Sequence, residues 1–317
     1  MGTVELFLII AAAFLLSGIG FYFFSIIFAA NRIYILTLKR KDTDSWSREN
    51  PALEGRQVEM DAIGIKWRDE HLQYKKDVQT ERNGLKLYGE YYDFGHDRAV
   101  MILSGRTESL RYGYYFARPY EELGFNVLVF DSRAHGKSDG EYNTVGFEES
   151  LDDIEWVRYL QREHGVKSVL FHGICIGAAG GILAITNKDC PDCVMGIVTE
   201  GMFTRFAESM RNHIIERKKN FWPVVQFVDF WMKHYTGHSM MRGPVDRIGD
   251  MKLPILMLQS REDKYSTPEN ARKLYDICGS EHKELVYFDV GGHSLLRVNN
   301  TEKYDEAIKN FAEKHFI

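Results

Sequence analysis

The stretch from residue 169 to residue 185, VLFHGICIGAAGGILAI, decides the fold of this chain. It begins with apolar, β-favouring residues and ends in small residues that suit a tightly packed helix. Between them, Gly173-Ile174-Cys175-Ile176-Gly177 leaves room for only one short turn. Such a bend forces its central residue to a positive φ, and glycines two residues away on either side relieve the crowding. The sequence therefore predicts a strained Cys175 at the tip of a strand-turn-helix unit.

The composition is that of a globular protein large enough for one α/β domain with an appendage. The chain has 317 residues, of which 44% are hydrophobic and 27% charged. A net charge of -5 gives no reason to expect a nucleic-acid partner. The four cysteines are too few for a disulfide framework, and Cys190-Pro-Asp-Cys193 lacks the second pair that a zinc site needs. We expect neither a metal nor a cofactor.

An apolar run near the N-terminus predicts a membrane anchor over residues 4–30. No charged residue occurs from residue 6 to residue 30, and this run reaches roughly 37 Å as a helix, enough to cross a bilayer. A cleaved signal peptide is the alternative. It is disfavoured because no Lys or Arg precedes the run, the run is long, and no small-x-small cleavage site closes it.

Charge on either side of the run indicates its orientation. Glu5 is the only charged side chain before it, whereas Arg32, Lys39, Arg40 and Lys41 follow. The positive-inside rule then puts the body of the protein in the cytoplasm, a reducing compartment that suits unpaired cysteines. We expect a single-pass protein of the cell membrane, with a juxtamembrane connector at residues 31–75 and a folded domain at residues 76–317.

Several other apolar runs resemble buried parallel strands, and each ends in residues capable of chemistry. Parallel strands buried on both faces are continuously apolar, and their carboxyl ends share one edge of the sheet. The segments that would meet there are Ser104-Gly105-Arg106 after residues 99–103, Asp131 to Ser138 after residues 125–130, Glu262-Asp263 after residues 253–260, and Gly291-Gly292-His293 after residues 284–290. Residues 76–79 and 85–92 flank Arg82-Asn83-Gly84 and predict a leading β-hairpin.

Two of these motifs resemble the α/β-hydrolase superfamily. The G-x-C-x-G bend is similar to its G-x-S-x-G nucleophile elbow, with sulfur replacing the serine oxygen. The segment DSRAHGKS at residues 131–138 is similar to the superfamily's D-x-R-G-H-G-x-S segment. The resemblance implies an α/β-hydrolase fold, with a mostly parallel sheet flanked by helices. His135 follows a middle strand, which favours a structural role over that of catalytic base.

The resemblance also implies a set of site residues. Cys175, Asp263 and His293 occur in the superfamily's order of nucleophile, acid and histidine. Glu262 is an alternative acid one residue out of register. The backbone N–H groups of Ile176 and Arg106 would form the oxyanion hole, although Ser104 stands where the superfamily usually has histidine.

Residues 204–250 interrupt the alternation of strands and helices, and the resemblance implies a helical cap over the active site. The segment is rich in aromatic residues and methionine. Packing of the cap on the domain accounts for part of this apolar surface, and a pocket for an apolar acyl group would account for the rest.

These features support three functions. The first is a membrane-anchored esterase, lipase-like enzyme or thioesterase that cleaves an apolar, lipid-like or small-molecule acyl substrate through an acyl-enzyme intermediate on Cys175. The second is an acyltransferase that passes the acyl group to an amine or alcohol. The third is a catalytically silent binding module, which the presence of both Asp263 and His293 argues against.

Overall fold

The computed structural model describes residues 2–40 and 55–317. Lys41, one of the basic residues that follow the apolar run, lies outside the described residues. Eight strands form one sheet in the order β1-β2-β4-β3-β5-β6-β7-β8. The strands are β1 Lys75–Arg82, β2 Leu85–Tyr92, β3 Arg98–Leu103, β4 Asn126–Phe130, β5 Ser168–Ile174, β6 Val194–Glu200, β7 Ile255–Ser260 and β8 Lys283–Phe288.

The sheet is antiparallel at one edge and parallel over the rest. β1 and β2 form the expected hairpin around Asn83 and Gly84, and β2 continues antiparallel to β4. From β4 to β8 every neighbouring pair is parallel. The central strands are buried along almost their whole length, which is why their sequences are continuously apolar. The carboxyl ends of β3 to β8 therefore meet at one edge.

Helices pack on both faces of the sheet. They are α1 Thr3–Leu38, α2 Gly55–Glu70, α3 Leu110–Gly113, α4 Arg118–Glu122, α5 Phe147–His164, α6 Ile176–Ile185, α7 Phe206–Glu216, α8 Val224–Thr236, α9 Pro268–Ile277, α10 Leu296–Asn299 and α11 Thr301–His315. α5 and α6 lie against one face of the sheet, and α11 lies beside β7 and α4 on the other. This arrangement confirms the fold class expected from the sequence.

The first helix is continuous from the apolar run into the body of the protein. It is the one helix among the described residues that is long and apolar enough to cross a membrane. Its side chains are largely exposed as far as Phe28, whereas Ala30, Tyr34 and Leu38 are fully buried in the core. The last two turns of α1 are therefore part of the domain.

The insertion between β6 and β7 forms two helices, α7 and α8. The aromatic side chains of α8 at positions 227, 231 and 235 lie on one face, as four-residue spacing requires. That face packs against α1: the Trp231 indole N–H donates to the Ile27 carbonyl at 2.9 Å, and the Phe227 ring lies 6.3 Å from that of Phe23. α1 thus covers apolar surface that the sequence suggested for an acyl pocket.

Candidate active site

The strand-to-helix bend has the strained geometry that its glycines predict. β5 ends at Ile174, α6 begins at Ile176, and Cys175 between them adopts φ 54° and ψ -108°. A Cβ on Gly173 would lie 2.5 Å from the Ala178 Cα, and one on Gly177 would overlap the Leu103 carbonyl. Neither position tolerates a side chain, so both glycines are needed to expose the Cys175 thiol at the sheet edge.

The structure brings Asp263 and His293 into direct contact. The His293 Nδ1 lies 2.7 Å from the Asp263 Oδ2, and both side chains are almost fully buried. The other carboxylate oxygen of Asp263 accepts the backbone N–H groups of Tyr265 at 2.8 Å and Ser266 at 2.9 Å. The alternative acid, Glu262, points elsewhere and accepts the Gly291 N–H at 3.0 Å.

His293 also contacts the thiol of Cys175. Burial alone would lower the pKa of His293, but the Asp263 carboxylate and the Cys175 side chain hydrogen-bonded to it raise that pKa well above its ordinary value. A raised pKa makes His293 an effective proton acceptor for a neighbouring thiol. Cys175, His293 and Asp263 therefore lie together at the carboxyl edge of the sheet, and Cys175 remains 8% exposed at the cavity.

The loop after β3 lies beside the bend, because α6 begins against the Leu103 and Ser104 backbone. This loop contains Arg106, whose carbonyl accepts from the His135 Nε2 at 2.6 Å. The Arg106 side chain donates to the carbonyl of Thr37, in the last turn of α1, at 3.1 Å. His135 is fully buried and also bonds the Arg133 carbonyl at 2.8 Å, so it braces the loop.

The end of α1 holds a second loop in place. Arg40 donates to the Gly136 carbonyl at 2.8 Å and to the Ser138 carbonyl, both in the segment that contains His135. Within this segment the Asp131 carboxylate accepts the Lys137 N–H at 2.9 Å and the Leu110 N–H at 2.8 Å. Through these bonds the first helix braces the backbone on which Arg106 lies.

A cavity of about 270 Å³ opens above Cys175 and His293. This volume lies just below the usual range for ligand pockets, roughly 300–1,000 Å³. Its lining combines apolar side chains with charged and polar ones: Phe206, Leu295, Arg106, Thr107, Glu108, Ser209, His213, Glu216, Glu262, Lys264 and Tyr265. Among the aromatic residues of the cap, Phe206 reaches this lining, whereas Phe227, Trp231 and Tyr235 of α8 face α1.

Three ionisable residues near the site were not predicted from the sequence. His213 of α7 stacks on Tyr265 with ring centroids 3.6 Å apart, and burial, aided by the Arg106 charge, lowers its pKa to about 3. Glu108 is buried and accepts the Gly105 N–H at 2.8 Å. Glu200 ends β6, and its backbone carbonyl accepts the Cys175 N–H at 2.9 Å. Glu200 could have been found from the sequence, because a carboxylate at the end of a largely apolar strand is unusual and would lie at the edge of the sheet where the site is.

Glu200 is the last member of a buried polar chain. Its Oε2 lies 2.7 Å from the Tyr304 hydroxyl, which lies 3.1 Å from the His172 Nε2; the His172 Nδ1 lies 2.7 Å from the Tyr120 hydroxyl. Burial lowers the pKa of His172 to about 3, so its ring is neutral and links the two tyrosines. Burial also raises the pKa of Glu200 to about 7.

Comparison with known families identifies a match over most of the folded domain. The family model described as serine aminopeptidase, S33, matches residues 95–242 and 228–300, which together exceed half of the chain. The matched residues include the bend, the cap and the loops that carry Asp263 and His293.

Individual proteins show more distant likeness. The chain is 25% identical to the uncharacterized protein YqkD of Bacillus subtilis over 70% of this chain and 74% of that protein. It is 21% identical to the lysophosphatidylserine lipase ABHD12 of Danio rerio over 49% of this chain and 40% of that protein. Among solved structures, the esterase Pf2001 of Pyrococcus furiosus superposes with a TM-score of 0.64 at 24% identity, covering 78% of this chain and 94% of that one.

Proposed function

The chain belongs to the serine aminopeptidase S33 family of α/β-hydrolases, and from this premise we propose that it is a membrane-anchored hydrolase that cleaves an ester or thioester through Cys175, His293 and Asp263. The observation that carries the proposal is the hydrogen bond between the Asp263 carboxylate and His293, in the same cavity as the Cys175 thiol at the strained bend.

In the first half of the reaction, His293 takes the proton of the Cys175 thiol, and the thiolate attacks the carbonyl carbon of the substrate. Asp263 holds the ring with its Nδ1–H toward the carboxylate and stabilises the imidazolium that forms. The negative oxygen of the tetrahedral intermediate accepts the N–H groups of Ile176 and Arg106. Collapse releases the alcohol or thiol, which takes the proton from His293, and leaves an acyl thioester on Cys175.

In the second half, water replaces the leaving group. His293 removes a proton from the water, which attacks the thioester carbonyl, and the same two N–H groups stabilise the second oxyanion. The carbon–sulfur bond then breaks, the carboxylic acid departs, and the proton returns to the sulfur. Cys175 stands where the family name indicates a serine, and sulfur suits the position because a thiol ionises more readily than a hydroxyl.

The lining of the cavity supports a substrate with a short apolar acyl part and a polar remainder. Phe206 and Leu295 supply apolar surface, while Arg106, Glu108 and Lys264 bring charge to the same space. A cavity of about 270 Å³ suits a small acyl group better than a long extended chain. An amphiphilic, lipid-like ester combines these properties, and the zebrafish relative is named as a lipase for a lysophospholipid.

The packing of α1 supports an uncleaved anchor rather than a removable leader. Ala30 is buried in the core and Phe23 contacts Phe227, so cleavage after the apolar run would remove side chains on which the domain packs. Arg32, Lys39 and Arg40 follow the run, which by the positive-inside rule puts the catalytic domain in the cytoplasm.

Mass spectrometry of the intact protein tests the proposed chemistry. The full-length protein in detergent is mixed with p-nitrophenyl butyrate, and we expect p-nitrophenol release with a transient mass increase equal to one butyryl group. The increase maps to Cys175 and is absent from Cys175→Ala. A matched control is Cys190→Ala, which removes a partly buried thiol distant from the cavity and retains both signals. A butyryl adduct that persists in Cys175→Ala, or turnover equal to that of wild type, contradicts the proposal.

A further inference from the structure

The two helices that pack together, α1 and α8, run in the same direction. Phe23 contacts Phe227, Ile27 accepts from Trp231, and Asn31 accepts from the Tyr235 hydroxyl at 3.3 Å. The sequence offset between partners stays the same as both helices advance by four residues. The N-terminal end of α8 therefore points the same way as the apolar N-terminal part of α1.

This direction brings the connection between α7 and α8 toward the membrane. A hydrocarbon core of about 30 Å takes up about 20 helical residues, so a span that begins at Val4 ends near Phe23. Phe23 is level with Phe227, and α8 begins three residues before Phe227, at Val224, about 4.5 Å further toward the bilayer at 1.5 Å per residue. Trp222 comes just before this end of α8. Interfacial segments insert to a depth of roughly 5–10 Å.

The side chains at this end of the cap have the chemistry of a membrane interface. We call residues 217–223 the cap tip. Arg217, Lys218 and Lys219 are consecutive and exposed, and they supply cations. Trp222 is 55% exposed. Phe230 lies on α8 beside the face that packs against α1, and it is 54% exposed. Tryptophan beside basic residues is typical of segments that sit among anionic lipid headgroups.

We infer that the cap tip, together with Phe230, is a second membrane contact that inserts into the headgroup layer of an anionic bilayer beside α1. The inference rests on the proposed function in one respect, which is that α1 spans the membrane. α7 borders the cavity through Phe206, Ser209 and His213 and then continues into the cap tip. Contact at the tip therefore holds the cavity close to the lipid surface, where an amphiphilic ester resides.

Quenching of tryptophan fluorescence by brominated phosphatidylcholine tests the contact. Full-length protein is reconstituted into vesicles of phosphatidylcholine and phosphatidylglycerol, and quenching is compared for wild type, Trp222→Phe and the control Trp156→Phe, which removes an indole buried in the core. We expect the quenched emission to fall about twofold in Trp222→Phe, because the inference puts two described indoles near the lipid: Trp231, which contacts α1, and Trp222 in the cap tip. Removing Trp156 leaves the quenched emission unchanged.

The outcomes separate the contact from the anchor. If carbonate washing leaves the protein in the vesicles but Trp222→Phe is quenched as strongly as wild type, the second contact is wrong and the anchor stands. If carbonate releases the protein, the anchor fails and the contact with it. A double variant, Lys218→Gln with Lys219→Gln, supplies a functional readout. It should cleave p-nitrophenyl acetate as wild type does and lose several-fold activity on an ester embedded in anionic vesicles, whereas equal activity on both substrates contradicts the inference.

Discussion

Replacement of Glu200 by glutamine tests whether the buried carboxyl behind Cys175 weakens the fold as it ionises. Glu200 is fully enclosed, and burial raises its pKa from 4.5 to about 7 despite hydrogen bonds from the Tyr304 hydroxyl and the Leu296 N–H. At about 1.4 kcal/mol per pH unit, this difference corresponds to about 3 kcal/mol.

The direction in which stability changes with pH follows from proton binding. The folded protein holds a proton on Glu200 between pH 4.5 and about 7, where the unfolded chain has lost it. The stabilising contribution of this group is therefore complete below pH 4.5 and is lost as the pH rises through about 7. The amide of the substituted side chain does not ionise, so Glu200→Gln should keep the stability that wild type loses over this interval.

The amide also fits the surrounding hydrogen bonds. Its oxygen can accept the Leu296 N–H while its NH₂ donates to the Tyr304 oxygen. Tyr304 then donates to His172, which changes tautomer and donates to Tyr120 in turn. Each of these hydrogen bonds reverses, so every member of the chain keeps a hydrogen-bond partner.

The assay is urea unfolding of the full-length protein in detergent, followed by near-ultraviolet circular dichroism from pH 4.5 to pH 8.5. We expect Glu200→Gln to match wild type near pH 4.5 and to exceed it by up to about 3 kcal/mol at pH 8. Groups that titrate alike in both proteins cancel in the difference. A difference that is constant with pH, or that favours wild type at high pH, would refute the reasoning.

Three further substitutions test the site. Asp263→Asn removes the charge that raises the pKa of His293 and should lower kcat roughly 10³–10⁴-fold in the p-nitrophenyl butyrate assay; an unchanged kcat would exclude the proposed role. Gly177→Ala pushes α6 away from the Leu103 carbonyl and displaces the oxyanion donors, so it should lower kcat about 10²–10³-fold. The control Gly249→Ala should leave kcat unchanged, because a Cβ at that position meets only one atom, at 3.7 Å. Arg40→Ala frees the two loop carbonyls and should lower the unfolding free energy by about 1–3 kcal/mol. Urea unfolding compares it with Lys39→Ala, which loses a half-exposed ion pair with Glu141 and a contact with the Tyr142 ring but no bond to this loop.

Local features of the structure could be predicted from the sequence because they depend on near neighbours. The bend around Cys175 is fixed by the two glycines beside it, and the buried strands are readable as apolar runs. The choice between Asp263 and Glu262 needed coordinates, since a loop can direct either carboxylate toward His293. The loop orients Asp263 toward His293, because two backbone N–H groups of the loop bind the other oxygen of its carboxylate.

Features that depend on distant partners could not be predicted. His213 lies in the cap, and nothing near it in the sequence connects it to Tyr265 and the cavity. The aromatic stripe of α8 was visible as four-residue spacing, but its partner, α1, precedes it by most of the chain. Apolar surface in a cap indicates that something is covered, and the pattern alone does not distinguish a substrate from another helix of the same protein.

Ala30, Tyr34 and Leu38 belong to α1 and are also buried in the core of the domain, so the folded enzyme depends on its first helix. If α1 spans a membrane, as we propose, a protease that cut the chain after α1 would remove these packed side chains and destabilise the body instead of shedding a stable soluble form. Turnover would then be tied to a two-dimensional compartment, where the rate of encounter depends on the density of substrate per area of membrane and not on its concentration in bulk water.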